Sequence, residues 1–256
     1  EKKREGSPVV VIKGKADVVR EQAKWVIEPM LQQRNTSLIY GPGSAGKSWF
    51  AQYIAVLASA GMNHGGLSVE PSVVLYLDWE TDEQELDIRV TKIQAGLHLE
   101  DEARIYYRSM SESLGNDIER INEICVEYGI TLIIVDSVGA ACGGEPENAK
   151  IVNEFFNALH SLQITTLVID HTNKEGLLFG SVYKFNRSRL VWEVKKHQNQ
   201  DDNKLHVGLF HRKSNNSKLM KDLGFELTFT EEAISVERKD VRDTPLEVNM
   251  SFPERI

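Results

Sequence analysis

The sequence predicts an α/β fold: a mostly parallel β-sheet flanked by helices, with antiparallel strands added at the C-terminal end. Three observations predict it. Between Ser37 and Ile169, short apolar runs alternate with longer helix-like segments, as in strand–helix–strand units. A glycine-rich loop joins the first such strand to a helix. After Arg189 the helical segments give way to short runs separated by polar turns.

The elements follow in order. Glu1 to Gly14 is a charged lead carrying a short apolar run, Val9 to Ile12. Asp17 to Glu28 places Val18, Val19, Ala23, Val26 and Ile27 at helical spacing and predicts a helix. Ser37 to Tyr40 is a short apolar strand. Lys47 to Ala60, dense in Ala, Leu, Ile and Phe, reads as a buried helix ended by Gly61. Val73 to Asp78 is a second strand. Asp82 to Leu97 is a helix with acidic residues in its first turn, where they suit the helix dipole. Ile105 to Tyr107 is a short strand, and Asn116 to Tyr128 an amphipathic helix stopped by Gly129. Thr131 to Val135 is a β-branched run of the kind buried on both faces. Ala149 to Leu162 is helical and Thr165 to Ile169 is another central strand. Arg189 to Val194, Leu205 to Phe210, Gly224 to Phe229 and Ala233 to Val236 read as strands extending the sheet, with a hairpin-like connection at Gln198 to Lys204. The predicted organisation is a lead segment 1–24, one nucleotide-binding domain 25–240 and a tail 241–256.

Composition bounds the function. With 256 residues, 41% hydrophobic and 27% charged, the chain has material for a full core and is not of the disordered class. A net charge of -8 argues against a broad basic surface for nucleic acid, though not against a local one. Two cysteines, Cys125 and Cys142, are too few for a disulfide framework or a metal site and fit a reducing cytoplasm. No stretch approaches the roughly 20 apolar residues of a membrane span, and the charged N-terminus is not a signal peptide. The absence of an initiating Met predicts a fragment of a longer protein.

The strongest motif is Gly41-Pro42-Gly43-Ser44-Ala45-Gly46-Lys47-Ser48, which fits G-x-x-x-x-G-K-[ST] at every fixed position. Its strand before and helix after give it the required setting. The glycines let backbone N–H groups curl around phosphate oxygens, and the helix start adds its positive end. Lys47 reaches the β- and γ-phosphates, and the Ser48 hydroxyl is a Mg2+ ligand. The nucleotide-binding set comprises Gly41, Pro42, Gly43, Ser44, Ala45, Gly46, Lys47, Ser48 and the adjoining Trp49. ATP with Mg2+ is the expected ligand.

Three further side chains stand at predicted strand tips. Asp136 ends Leu132-Ile133-Ile134-Val135, where open α/β sheets bind ligands, and is the second expected Mg2+ residue; the plain alternative is a helix cap. Glu80 follows Leu77-Asp78-Trp79 and can deprotonate an attacking water, with Asp78 its rival and a capping role the plain alternative. His171 ends the strand Thr165 to Asp170 and can report the γ-phosphate; a structural histidine is the plain reading. Neither Asp170 nor His171 has the spacing of a zinc site.

In this order the residues resemble the RecA-like ATPases, and within them the hexameric replicative helicases of the RepA and DnaB type. Val168-Ile169-Asp170-His171-Thr172-Asn173-Lys174 is similar to the RepA-type pattern of a histidine pair, a small residue and lysine, with Asp170 in place of the first histidine. Glu145-Pro146-Glu147-Asn148 is similar as well. The resemblance implies a catalytic Glu80, a γ-phosphate sensor at His171 and an Arg89 that stacks on adenine; an ion pair with Glu85 is the alternative for Arg89. It implies a homo-oligomer, a hexameric ring, in which a neighbour's basic residue completes the ATP site. Arg212 and Lys213 are the candidates for that catalytic finger, with Lys213 favoured because Lys-x-Asn resembles the RepA-type pattern, against the plain reading of a solvated basic turn. It also implies that Gly139 to Ala149 and Lys174 to Arg189 face a channel for single-stranded DNA. The second carries Lys174, Lys184, Arg187 and Arg189 among Phe179, Tyr183 and Phe185, a mixture suited to backbone and bases; in the alternative, its aromatics are core and its charges solvated. The implied function is an ATP-hydrolysing motor, a DNA helicase domain in plasmid, phage or mobile-element replication. The alternatives are a KaiC-like nucleotide-gated switch and a strand-exchange recombinase.

Overall fold

The computed structural model describes residues 24–173, 176–180, 182–200, 202–215 and 218–250. In chain order the elements are β1 (Trp25–Glu28), β2 (Leu31–Gln32), β3 (Thr36–Gly41), α1 (Lys47–Ala60), β4 (Ser68–Val69), β5 (Val74–Asp78), α2 (Glu83–Gly96), β6 (Ile105–Ser109) and α3 (Leu114–Tyr128). They continue with β7 (Leu132–Asp136), α4 (Val138–Ala141), α5 (Ala149–Leu162), β8 (Thr165–His171), α6 (Tyr183–Arg187), β9 (Leu190–His197), β10 (Lys204–Ser214), β11 (Leu223–Phe229) and β12 (Ile234–Lys239).

Nine strands form the main sheet in the order β12-β11-β10-β9-β3-β8-β7-β5-β6. From β9 to β6 all pairings are parallel; from β9 to β12 they are antiparallel. Period-two alternation sorts the central strands into two cores. Ile39, Tyr76, Ile134 and Ile169 pack with α1 and α2, while Tyr40, Leu77, Val135 and Val168 pack with α3 and α5. Burial on both faces explains why these strands are apolar throughout. Asp82 and Ser113 cap α2 and α3 by accepting hydrogen bonds from the N–H groups of Glu85 and Asn116. Beyond β12, short 3-10 turns at Val241–Asp243 and Pro245–Asn249 lay Val241 and Leu246 on Phe210.

Two expectations change here. The helix expected over Asp17 to Glu28 is replaced at its end by β1; residues 17–23, like the Val9 to Ile12 run, lie outside the described residues. Trp25-Val26-Ile27-Glu28 pairs with β2 and β4 in a separate small sheet, and pairing lets β-branched Val26 and Ile27 both be buried. The addition of antiparallel strands begins one strand later than expected. β9 lies parallel to β3, Leu190 beside Ser37 and Glu193 beside Tyr40, because the connection through α6 returns the chain to the starting edge of the sheet.

Candidate nucleotide site

The site lies at the carboxyl edge of the parallel strands. Gly41–Ser48 connects β3 to α1. A Cβ on Gly41 would fall 2.3 Å from the Val194 carbonyl oxygen, so only glycine lets β9 lie against the loop. Gly46 holds φ at 86° in the left-handed region and caps α1 with no side-chain hydrogen bond. The first-turn N–H groups of α1 are thus left for an anion.

Lys47 is buried, and its ammonium donates to the carbonyl oxygens of Gly41 (3.0 Å) and Pro42 (2.7 Å) and meets His171 Nδ1 at 3.4 Å. Burial lowers its pKa, opposed by Asp136, Glu80 and Asp170. Since an ammonium only donates, the His171 proton belongs on Nε2. That nitrogen lies 3.2 Å from Glu80 Oε1, which also accepts from the Ser137 hydroxyl at 2.6 Å. A continuous line of hydrogen bonds therefore joins Lys47, His171, Glu80 and Ser137. The bond from His171 is the largest cause that lowers the Glu80 pKa to about 2; burial opposes it, and Ser137 and Lys47 add to it.

Asp78, the rival to Glu80, is turned inward. It is buried, and it accepts from the N–H groups of Glu80 (2.8 Å) and Thr81 (3.0 Å) and from the Thr81 hydroxyl. It builds the turn that aims Glu80.

Asp136 is buried at the tip of β7, and burial raises its pKa to about 6. Its Oδ2 accepts from the Tyr76 hydroxyl at 2.8 Å, whereas Oδ1 is buried with no hydrogen-bond partner. Ser48 stands close enough to draw the Asp136 pKa down, without closing a hydrogen bond of normal geometry. An unsatisfied buried carboxylate oxygen beside a hydroxyl, next to a phosphate loop, fits a hard cation that takes its remaining ligands from phosphate and water. Among the described residues no group of three or more His, Cys, Asp or Glu is placed to hold a metal by itself. Tyr76 and Ser137 escaped sequence reasoning. A tyrosine in an otherwise apolar buried strand must find a partner for its hydroxyl, and that signal was available for Tyr76.

Beside Glu80 and His171 opens a cleft of about 740 Å3 that also involves Gly139, Ala140, Thr172 and Phe179. Under it, Asp170 and Lys184 form an ion pair at 2.7 Å, 1% and 0% exposed. Asp170 also accepts from the His171 backbone N–H at 2.9 Å. The expectation that Lys184 is a free cation for DNA is thereby corrected: α6 turns it inward to neutralise Asp170, and only its exposed neighbours remain for an external partner. Lys174 lies outside the described residues.

Arg89 pairs with Glu85 and stands over the Trp49 ring at 4.6 Å, and Trp49 meets Phe229 edge-on at 5.4 Å. The ion pair with Glu85, the alternative expected for Arg89, is thus present, and the guanidinium stacks on Trp49 of the same chain. Among the described residues, neither Arg212 nor Lys213 hydrogen-bonds this chain's own phosphate loop. Lys213 pairs in register with Val191, beside Leu38, toward the starting edge of β3. Its ammonium donates to the carbonyl oxygens of Phe185, Asn186 and Ser188 at 2.7, 2.8 and 2.7 Å, capping α6. Arg212 falls in the β-bulge between His211 and Lys213 and donates to Glu193 at 2.9 Å.

Fold and loop together define a RecA-like P-loop protein of the nucleotide-binding ATPase class. The chain belongs to the AAA domain family, which it matches over residues 3–176. It is similar in structure to a KaiC-like protein from the hyperthermophilic archaeon Pyrococcus horikoshii OT3, with a TM-score of 0.60 and 18% identity over 82% of this chain and 93% of that one. That likeness shows the shared fold. A comparison with curated proteins gave no match. No helix among the described residues is long and apolar enough to cross a membrane.

Proposed function

We propose that this protein hydrolyses ATP in a RecA-like motor domain spanning residues 25–240, and that it acts on single-stranded DNA as a RepA- or DnaB-type helicase in the cytoplasm. The observation that carries the hydrolytic reading is the line from Lys47 through His171 to Glu80. In the free protein, Glu80 is a weak base because His171 and Ser137 stabilise its charge. A γ-phosphate attracts Lys47, so the ammonium leaves His171. His171 then turns toward the phosphate, Glu80 loses its strongest donor, and its basicity rises where the attacking water must lose a proton. Hydrolysis is thereby tied to occupancy. Ser48 and Asp136 would hold Mg2+, which would neutralise phosphate charge. Arg89 offers its face to adenine. In the proposed hexameric ring a neighbour's basic residue completes the site. Arg212, raised on a bulge and held by one carboxylate, is easier to redeploy than Lys213, whose three protons are all committed.

The DNA reading is supported by α6, where Val182 and Tyr183 are exposed beside Arg187. The fold shared with a KaiC-like protein favours a second reading, a nucleotide-gated switch that ignores DNA. Steady-state ATP hydrolysis, with and without single-stranded DNA at low and physiological salt, separates the two. Salt-sensitive stimulation supports the motor; a slow rate indifferent to DNA supports the switch.

A further inference from the structure

At the opposite edge of the sheet, where the parallel strands begin, lies a second cleft of about 500 Å3. Arg34, Arg187, Arg189 and His160 line it, and no carboxylate does. In a chain of net charge -8 this is a local reversal of sign. The three arginines come from different elements. Arg34 sits in the turn before β3 at φ 57°, its N–H donating to the Thr165 hydroxyl at 2.9 Å. Arg189 precedes β9, its N–H donating to the Thr36 carbonyl at 2.8 Å. Arg187 ends α6 and donates to the side-chain oxygen of Asn157. Among the described residues, none of these guanidiniums is paired with a carboxylate.

Unpaired arginines gathered around one concave surface raise the local potential and attract phosphate groups, which they bind in bidentate fashion. Two features select an extended ligand over a compact one. The cations are anchored on separate elements along an open cleft, and the helix supplying Arg187 also exposes Tyr183, at 42%, as a surface for stacking a base. We propose that this cleft binds the phosphate backbone of a single-stranded nucleic acid, with Arg34 and Arg189 as its backbone contacts. The inference rests on the single-stranded DNA reading and deepens it. It moves the principal grip from the loop tips to the starting edge of the strands, and adds Arg34, which no loop motif contains.

The test is the fluorescence anisotropy of a labelled oligothymidine of about fifteen nucleotides, titrated with the full chain across a series of salt concentrations. Wild type is compared with Arg34→Gln/Arg189→Gln and Arg34→Lys/Arg189→Lys. Neither side chain makes a hydrogen bond within the described residues, so both variants are expected to melt like wild type. The Gln pair is expected to bind roughly tenfold more weakly at low salt, with a log–log salt slope smaller by about 1.4, two contacts at about 0.7 each for a single strand. The Lys pair, which keeps the charge, is expected to restore most of both. A wild type that binds while the Gln pair binds equally, with the same slope, overturns the cleft and leaves DNA binding elsewhere. A wild type that binds no oligonucleotide at any salt overturns the cleft and the DNA reading together.

Discussion

The two edges of the parallel sheet handle charge in opposite ways. At the carboxyl edge nearly every ionised group is already answered: Lys47 by two carbonyls and His171, Glu80 by His171 and Ser137, Asp170 by Lys184. At the starting edge three arginines face one cleft with no carboxylate among its lining. The first arrangement stores partners that a ligand must displace, so it suits a switch whose state depends on occupancy. The second is a standing field that needs no rearrangement and suits a reversible, salt-sensitive grip. The motor proposed above needs both, the one to fire and the other to hold.

The comparison breaks most sharply at the phosphate loop. Lys47→Ala removes the cation that answers phosphate and is expected to abolish tight ATP binding, a loss of about a hundredfold or more in a titration with a fluorescent nucleotide. Next comes the buried pair. Lys184→Met leaves Asp170 buried without its cation, and is expected to cost about 3–5 kcal/mol in denaturant unfolding. Asp170→Asn combined with Lys184→Met should recover much of that. A single variant as stable as wild type would mean that the pair is solvated.

The third prediction concerns pH. The Glu80 pKa in the fold, about 2, lies below the ordinary value of 4.5. The stability this contributes is therefore fully present above about pH 4.5 and is lost as the pH falls toward 2. His171→Ala removes the largest cause, so the Glu80 carboxyl should titrate at a higher pH when followed by carbon NMR. An unchanged midpoint would show that Ser137 and Lys47 suffice. The smallest effect is at the base-stacking end: Arg89→Ala should weaken ATP about fivefold through loss of a stacked cation, with little change in turnover at saturation.

What was legible in the sequence follows the same division. The phosphate loop, α1 and the central strands are written locally, in glycine spacing and unbroken apolar runs. Lys47, Glu80 and His171 converge because β3, β8 and β5 end at one edge of the parallel sheet, with β7 between the last two, a consequence of topology that strand tips alone convey. Pairing is not local. Nothing in Leu190 to Val194 announces that it will lie parallel to β3, and two-residue strands such as β2 and β4 carry no periodicity. Burial of charge is equally hidden. Lys184 lies between Tyr183 and Phe185 and reads as a basic residue of a loop, yet Asp170, fourteen positions earlier, claims it. Asp78 and Glu80 look interchangeable until the turn shows one facing inward to three donors and the other facing the cleft. Arg34 joins the basic cleft from a turn far from the other arginines in sequence, so no charge run marks it.

The most direct test of the central claim compares wild type and Glu80→Gln in two assays on the same preparations, ATP binding and steady-state hydrolysis. The account predicts that the amide variant binds Mg2+–ATP within a few-fold of wild type while turnover falls by roughly a hundredfold or more. An amide variant that binds ATP and still turns it over at the wild-type rate would contradict it, because the proton of the attacking water would then have another acceptor.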